Sequence, residues 1–306
     1  MDFINISLPS DQEYHKNFWY SIYDSCSERK EKLKRLLPKN STNDPSTQVK
    51  IFVSESGEMK IETVNSSLFI IGKYKKMIRG ISQTPMLIGG KRKYEHAVSD
   101  FVPGVKQFFR ADDVKFCSAG REDADVRMLG GRPFLLEIVN PKLHLEPTAI
   151  PILPPNGVEI YDLVLVPGQK AKSVILSGEN TSYKTYRALI YMEIIKQIPL
   201  MEIKIKQKTP IRVLHRRSNL MRIKEIQILK YKIIKDRFVC LDIRASAGAY
   251  IKEFVNGDFG RTRPSLTSIL GCYCDLLELD VLKVEIKPIE EELIIKKLVH
   301  LTNENI

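Results

Sequence analysis

A series of short segments in the second half of the chain, in which apolar and polar residues alternate, most constrains its fold. Residues 202–208, for example, have the sequence EIKIKQK, and the alternation recurs up to residue 246. A period of two is typical of strands with one buried face. The chain lacks the regular succession of strands and long helices that a parallel sheet requires. We therefore predict an α+β fold with a central mixed, mostly antiparallel sheet.

Other segments predict a hairpin and short helices. Residues 49–64 alternate on both sides of a Ser-Gly pair, which is typical of a hairpin. Residues 97–101 have helical character before a break at Pro103-Gly104, and residues 248–255 have helical spacing that stops at an Asn-Gly pair. A second short helix, a final strand and a polar, mostly helical tail are predicted to follow.

The character of the sequence changes near residue 66. Residues 1–65 contain a basic, helix-like run, a loop dense in turn-forming residues and the predicted hairpin. We expect them to form a small N-terminal α/β accessory domain, a candidate RNA-binding domain. The larger sheet is expected in a second domain, residues 66–306.

The charge balance indicates an anionic partner. The 306 residues include 48 Lys and Arg against 37 Asp and Glu, for a net charge of +11. Such an excess favours polyanions, of which nucleic acid is the commonest. The alternative is a basic surface that is merely solvated. No run approaches 18 uninterrupted apolar residues, so we predict no membrane span and no membrane partner.

The sequence predicts no cofactor and no metal. Five scattered cysteines are too few for a disulfide framework and favour a reducing compartment. Cys272 and Cys274 resemble half a zinc site, but no second Cys or His pair lies at ligand spacing. Glycine-rich nucleotide-binding loops and the H-E-x-x-H motif are absent from the sequence, so no nucleotide cofactor is expected.

A charged loop between two apolar segments is the first candidate site. Residues 118–133 have the sequence SAGREDADVRMLGGRP, with three carboxylates and three arginines. Neighbouring guanidinium groups favour the ionised form of a carboxylate, and an ionised carboxylate on a supported loop can act as a nucleophile. The alternative is a charged surface turn, which residue types alone slightly favour.

Two basic segments are further candidates. Residues 202–237 carry twelve cations against three anions, which is typical of a surface that follows a phosphate backbone. Strictly alternating lysines also discourage edge pairing of strands, so a structural explanation stays open. Residues 248–261 combine glycines with a predicted helix, from which Lys252 could reach an acid on another strand.

Taken in chain order, five segments resemble motifs of the archaeal and eukaryotic tRNA pseudouridine-54/55 synthase family. They are GKYKKMIRGISQTP (72–85), SAGREDADVRMLGGRPFLLEI (118–138), KTYRALI (184–190), QKTPIRVLHRR (207–217) and GAYIKEFVNGDFGRTRPS (248–265). Because the family has these motifs in the same order, chance is a poor explanation. The resemblance implies a pseudouridine synthase catalytic domain over residues 66–306.

The resemblance also implies roles for individual residues. Asp123 matches the family's indispensable nucleophile, and Lys252 matches the basic residue that pairs with it. Tyr186 and Tyr250 match aromatic residues that hold the target uracil, although core packing would otherwise explain them better. Arg121 matches a residue that helps fill the gap left by the flipped nucleotide. The predicted RNA-binding cations are Lys73, Lys75, Lys76, Arg79, Arg132, Arg216, Arg217 and Arg261.

These matches imply an isomerase, an intramolecular transferase that converts uridine to pseudouridine at position 54, position 55 or both in the T loop of tRNA. We expect a monomeric enzyme of the cytoplasm, or of the nucleus in a eukaryote. One alternative is a non-catalytic RNA-binding protein that retains the synthase fold, and another is an interaction protein with a basic surface. Attack at C1′ and addition at C6 would use the same aspartate.

The chain departs from the family pattern at several points. Residues 128–133 are one residue short, Ala249 stands where threonine is usual, and Asn256 replaces a histidine. Family members commonly begin with a zinc-binding Cys-x-x-Cys region and a longer RNA-binding domain of the THUMP kind. Since Cys26 stands alone, we expect residues 1–65 to be a reduced, metal-free, THUMP-like region or a different module.

Overall fold

The computed structural model describes residues 2–8, 47–53, 59–142, 149–168, 171–173, 183–285 and 289–301. The chain divides into two compact units. The first comprises Met1–Leu68, Lys106–Lys115 and Glu137–Glu146, and the second comprises Phe69–Val105, Phe116–Leu136 and Pro147–Ile306. The boundary predicted from the sequence after residue 65 stays a prediction.

The first unit contains a three-stranded antiparallel sheet. Its strands are β1 (Asp2–Leu8), β2 (Thr47–Val53) and β3 (Met59–Asn65), in that order. β2 and β3 pair along their whole length, which confirms the predicted hairpin. The predicted helix-like run, the turn-rich loop and Cys26 lie outside the described residues.

A mixed sheet of twelve strands dominates the described part of the chain. Its strands are β4 (Leu68–Lys76), β7 (Asp113–Ser118), β8 (Arg127–Val139), β9 (Ala149–Pro151), β10 (Val158–Val166), β11 (Lys184–Met192), β12 (Glu202–Lys208), β13 (Met221–Lys235), β14 (Phe238–Ala245), β15 (Thr262–Arg263), β16 (Cys274–Val284) and β17 (Lys296–Leu301). Two short strands, β5 (Leu87–Ile88) and β6 (Lys91–Arg92), form a separate hairpin.

The order of the strands confirms the predicted fold class. The sheet runs β15-β12-β13-β14-β11-β16-β8-β4-β10-β17-β9, and β7 pairs with β8. β11 pairs antiparallel with β14 and with β16, and β12, β13 and β14 form the predicted alternating series. The pairings of β16 with β8 and of β17 with β9 are parallel. The sheet is therefore mixed and mostly antiparallel.

Two short helices follow β14. α2 (Ile251–Asn256) ends at Gly257, and α3 (Leu266–Leu270) ends at Gly271. Both glycines have a positive φ, which a residue without a Cβ adopts at little cost and which commonly ends a helix. These two helices confirm the two short helices that the sequence predicted for this part of the chain. No helix in the described part of the chain is long and apolar enough to cross a membrane.

Two predicted helical segments differ from the structure. Residues Val98–Phe101 form a 3₁₀ turn, and α1 (Val102–Phe109) continues through Pro103, where a break was predicted. Proline is tolerated in the first turn of a helix because its missing N–H would have no partner there. The prediction of a mostly helical tail was wrong as well, because the described tail contains a 3₁₀ turn (Glu291–Leu293) and β17.

An aromatic cluster lies beneath the loop that joins β7 to β8. The rings of Phe116 and Phe134 stack with their centroids 5.4 Å apart, and Phe101 and Tyr74 pack against them. At the start of the loop Ala119 is fully buried, and its N–H donates to the Pro133 carbonyl at 2.9 Å. This hydrogen bond and the burial of Ala119 fix the position of the first residues of the charged loop.

Candidate active site

The charged loop opens onto a cleft of about 620 Å³. Gly120 has φ +86°, a conformation that favours glycine, and it turns the chain away from β7. The Val126 N–H donates to the Asp123 carbonyl at 3.1 Å and tightens the turn. Eight of the thirteen site residues predicted from the sequence line this cleft: Arg121, Asp123, Arg132, Tyr186, Arg216, Arg217, Tyr250 and Lys252.

Asp123 lies between two cations that come from distant segments. Its Oδ2 accepts a hydrogen bond from Arg212 Nη1 at 2.8 Å, and Lys252 Nζ lies 3.7 Å from the same oxygen. The nearest carboxylate to Lys252 is that of Asp125, at 2.6 Å. The structure thus brings Asp123 and Lys252 together, but Lys252 is shared between two acids.

The electrostatics of Asp125 follow from this sharing. Partial burial acts to raise the pKa of its carboxyl group. The hydrogen bond and the positive charge of Lys252 outweigh that effect, and the pKa is lower than usual. Asp125 therefore holds the Lys252 ammonium at the edge of the cleft.

Arg212 is a residue of the site that was not among the thirteen predicted from the sequence. Its Nε donates to Glu253 Oε1 at 2.7 Å, while its Nη1 donates to Asp123. The Glu253 side chain is only 5% exposed, and its Oε2 has no hydrogen-bond partner among the described residues. The position of Arg212 in the basic segment 202–237 and its place in the family motif QKTPIRVLHRR were the signals for it in the sequence.

Two of the predicted RNA-binding cations are almost completely buried, so their side chains are not free to bind phosphates, although Arg132 also lines the cleft. Lys76 is 0% exposed, and its Nζ donates to the carbonyls of Asp123 and Ile81, both at 2.9 Å. Arg132 is 1% exposed and donates to Glu122 Oε2 at 2.7 Å and to the Ala119 carbonyl at 2.8 Å. Both cations hold the charged loop from below.

The burial of Lys76 follows from its position on β4. β4 extends through the basic residues of this segment and ends at Lys76. Side chains alternate along a strand, so Tyr74 and Lys76 point into the core while Lys73 and Lys75 point outward. Burial lowers the pKa of Lys76, and the negative charge of Glu122 acts against that effect.

Four other predicted RNA-binding residues lie outside the cleft. Lys73 pairs with Asp162 at 2.9 Å, and Lys75 pairs with Glu159 at 3.3 Å. The guanidinium groups of Arg79 and Arg261 donate hydrogen bonds to backbone carbonyls of the protein. Arg79 donates to the carbonyls of residues 125 and 279, and Arg261 donates to the carbonyl of residue 209.

Both predicted tyrosines line the cleft. Tyr186, on β11, is 9% exposed, and burial raises the pKa of its hydroxyl group to about 12, so the group is neutral at neutral pH. Tyr250 lies just before α2, where Gln207 bonds to both its N–H and its carbonyl, at 2.8 and 3.0 Å. The Tyr250 hydroxyl accepts a hydrogen bond from Arg217 at 3.2 Å. Arg121 is exposed in the same cleft.

The fold and the cleft define a class of protein. It is an α+β protein whose mixed sheet supports an open, cation-rich cleft that contains a carboxylate and two tyrosines. A carboxylate of this kind can attack an electrophilic carbon, the tyrosines can hold a flat ring, and the arginines can bind phosphates. Within the described residues, no three His, Cys, Asp or Glu side chains are grouped as metal ligands would be.

Comparisons with known proteins identify the family within this class. The family model described as "Pus10, C-terminal" matches residues 69–285, and the chain belongs to this family. It is 38% identical over 246 residues to tRNA pseudouridine synthase Pus10 of Homo sapiens, covering 74% of this chain and 46% of that protein. It is 40% identical over 245 residues to tRNA pseudouridine synthase Pus10 of Methanocaldococcus jannaschii, covering 71% and 53%.

The matches confirm the resemblance seen in the five motifs. The chain spans about half the length of the curated relatives it matches. Among solved structures, that of a Cbf5-Nop10-Gar1 complex is 15% identical, with a TM-score of 0.37 over 76% of this chain and 52% of that chain.

Proposed function

We propose that this chain is a tRNA pseudouridine synthase that isomerises uridine in the T loop, at position 54, position 55 or both, with Asp123 as the nucleophile. Membership of the family supports the activity. The observation that carries the proposal is the position of Asp123 in the cleft, 2.8 Å from Arg212 and 3.7 Å from Lys252. The choice of the T loop as the target rests on the resemblance of the five sequence motifs to those of the family.

The chemistry needs only groups that the cleft contains. The bond between N1 of uracil and C1′ of ribose breaks, the ring turns, and C5 bonds to C1′. C5 loses its proton and N1 gains one, so the product is an isomer and no oxidant or nucleotide is consumed. An anion must add to C1′ or to C6 for the bond to N1 to break, and the Asp123 carboxylate would provide it.

Other residues of the cleft would bind the RNA around this step. The target nucleotide must leave its stack, and the rings of Tyr186 and Tyr250 would hold the uracil. Arg216 and Arg217 are exposed in the cleft and would contact the phosphates. Arg121 would fill the gap that the nucleotide leaves.

The test compares Asp123→Ala with a matched control, Asp125→Ala. The two carboxylates lie two residues apart on one loop, and both lie near Lys252. We expect Asp123→Ala to abolish tritium release from tRNA that carries [5-³H]uridine, because C5 keeps its proton unless the isomerisation occurs. Asp125→Ala should retain measurable release. Both variants should bind tRNA and melt at about the wild-type temperature.

The assay also separates the alternatives. Tritium release by Asp123→Ala would contradict the assignment of the nucleophile. Folded wild-type protein that binds tRNA and releases no tritium would be an RNA-binding protein that retains the fold. Protein that shows no preference for folded tRNA over random RNA would have only a basic surface. Transcripts with cytidine at position 54 or 55 would assign the modified site.

Two further properties belong to the proposal. We infer a monomer, which gel filtration with light scattering would test. We also infer a location in the cytoplasm, or in the nucleus of a eukaryote, which imaging of the tagged full-length protein would test.

A further inference from the structure

A tight turn after α2 exposes an aromatic side chain almost completely. Phe259 is 96% exposed, more than any other large apolar residue that the structure describes. Its backbone has φ +53° and ψ +38°, in the left-handed region, and Asp258 before it has φ +45°. Residues with a Cβ adopt this region only at a cost, and such strain clusters at functional sites.

The turn is firmly built, so the exposure of the ring does not come from a loose loop. The Gly260 N–H donates to the Gly257 carbonyl at 2.9 Å, and the Arg261 N–H donates to the Asp258 carbonyl at 3.0 Å. The Asp258 carboxylate accepts a hydrogen bond from the Ile211 N–H at 3.2 Å. The fold therefore fixes a strained backbone that holds a phenyl ring in solvent.

The turn is hydrogen-bonded to an exposed arginine and to a segment that enters the cleft. Arg263 is exposed, and its Nε donates to the Gly260 carbonyl at 3.0 Å. Ile211, which bonds to Asp258, begins the 3₁₀ turn Ile211–Arg216. That turn carries Arg212 and Arg216 into the cleft.

We propose that Phe259 is a stacking platform for an unpaired nucleobase of the substrate RNA, separate from the cleft in which the target uridine reacts. This inference rests on the proposed function. An aromatic ring stacks on any base, and the fixed backbone of this turn reduces the conformational freedom that is lost on binding. The arginine bonded to this turn and those of the connected segment would bind the phosphates of an RNA chain better than they would bind an apolar protein partner.

The first test measures the affinity for unmodified tRNA. Removing the aromatic partner of a stacked base weakens binding strongly, so we expect Phe259→Ala to raise the Kd for tRNA about five- to a hundredfold. Phe259→Trp keeps an aromatic ring, and its Kd should stay within about twofold of the wild-type value. The matched control is Phe238→Ala, which removes a partly exposed phenylalanine that packs on Tyr191. It should bind as the wild type does. Binding of Phe259→Ala at wild-type affinity would overturn the inference.

The salt dependence gives a second readout. Stacking neutralises no phosphate, so the slope of log affinity against log salt should be equal for the wild type and Phe259→Ala. A reduced slope would mean that the variant has lost phosphate contacts, and it would overturn the stacking role.

The third test uses the strain. Phe259→Gly removes the ring together with the Cβ that makes the left-handed region costly, so its melting temperature should be no lower than that of the wild type. Its tRNA affinity should fall as far as that of Phe259→Ala. A large fall in melting temperature would show that the ring is structural.

The failure of this inference can be told from the failure of the proposed function. If the wild type fails to bind tRNA selectively, the proposed function fails. If the wild type is active and Phe259→Ala binds tRNA equally well, only this inference fails.

Discussion

Arg212 connects two carboxylates that differ in their surroundings. The Asp123 side chain is 36% exposed in the cleft, whereas that of Glu253 is 5% exposed on α2. A guanidinium group is planar, so fixing its Nε also fixes the direction of its Nη1. The buried Glu253 therefore determines the direction from which Arg212 donates to Asp123.

We predict that Glu253→Gln lowers kcat for pseudouridine formation. The amide has nearly the same shape but weakens the bond to Arg212, and a small misplacement of a reacting group costs about tenfold to a hundredfold in rate. Single-turnover tritium release should show the loss, while the affinity for tRNA changes little.

The control for this variant is Glu285→Gln. Glu285 accepts two hydrogen bonds from Arg244, each of 2.8 Å, and does not line the cleft. This variant should leave kcat unchanged. Equal kcat values for Glu253→Gln and Glu285→Gln would argue against a positioning role for Glu253.

At the scale of the elements, β4 places the side chains of two neighbouring lysines, Lys75 and Lys76, on opposite faces of the strand. Lys76 points inward and donates to two carbonyls, and its Nζ lies 3.6 Å from Glu122. Lys75 points outward, is partly exposed and pairs with Glu159. Buried and surface ion pairs differ widely in energy, so the same substitution on this strand should have two different effects.

We predict that Lys76→Met lowers the free energy of unfolding by about 3 kcal/mol, because it leaves buried acceptors and the Glu122 charge without this partner. Lys75→Met should change the free energy by less than about 1 kcal/mol. Urea unfolding of both variants would measure the difference. Similar values for the two would mean that the buried lysine is not needed to hold the loop.

At the scale of the whole molecule, buried carboxylates make folding depend on pH. Asp242 on β14 bonds to Arg187, and that hydrogen bond lowers the pKa of its carboxyl group. Burial acts to raise the pKa of Asp280 on β16, but hydrogen bonds and charges from Arg127 and Arg79 leave it lowered. Both groups stabilise the fold while they are ionised.

We predict that the melting temperature falls as the pH drops below the ordinary Asp pKa of 3.8. A carboxyl group with a lowered folded-state pKa contributes all its stability above its unfolded pKa and loses it as the pH falls through the folded value. Asp280→Asn should melt lower than the wild type at pH 7 and show a smaller fall in acid. Parallel melting curves for the two proteins would contradict this contribution.

Local patterns in the sequence determined much of the fold. Alternation predicted the strands β12, β13 and β14 of the main sheet and the hairpin of β2 and β3, and helical spacing before a glycine predicted α2. These features depend on neighbouring residues, so they are visible in a single sequence. The five motifs added the family and the set of candidates around Asp123, 129 residues from Lys252 along the chain.

The tertiary structure decided which charged side chains are exposed in the cleft and which are buried. Lys76 and Arg132 resemble any surface cation in the sequence, and only the register of β4 and β8 buries them beneath the charged loop. The pairing of Asp123 with Arg212 spans 89 residues, and that of Arg212 with Glu253 spans 41. The exposure of Phe259 depends likewise on a turn held by Ile211. The local backbone sets the direction in which a side chain points. Which residue that side chain then contacts depends on how distant segments of the chain pack, and a single sequence does not show this.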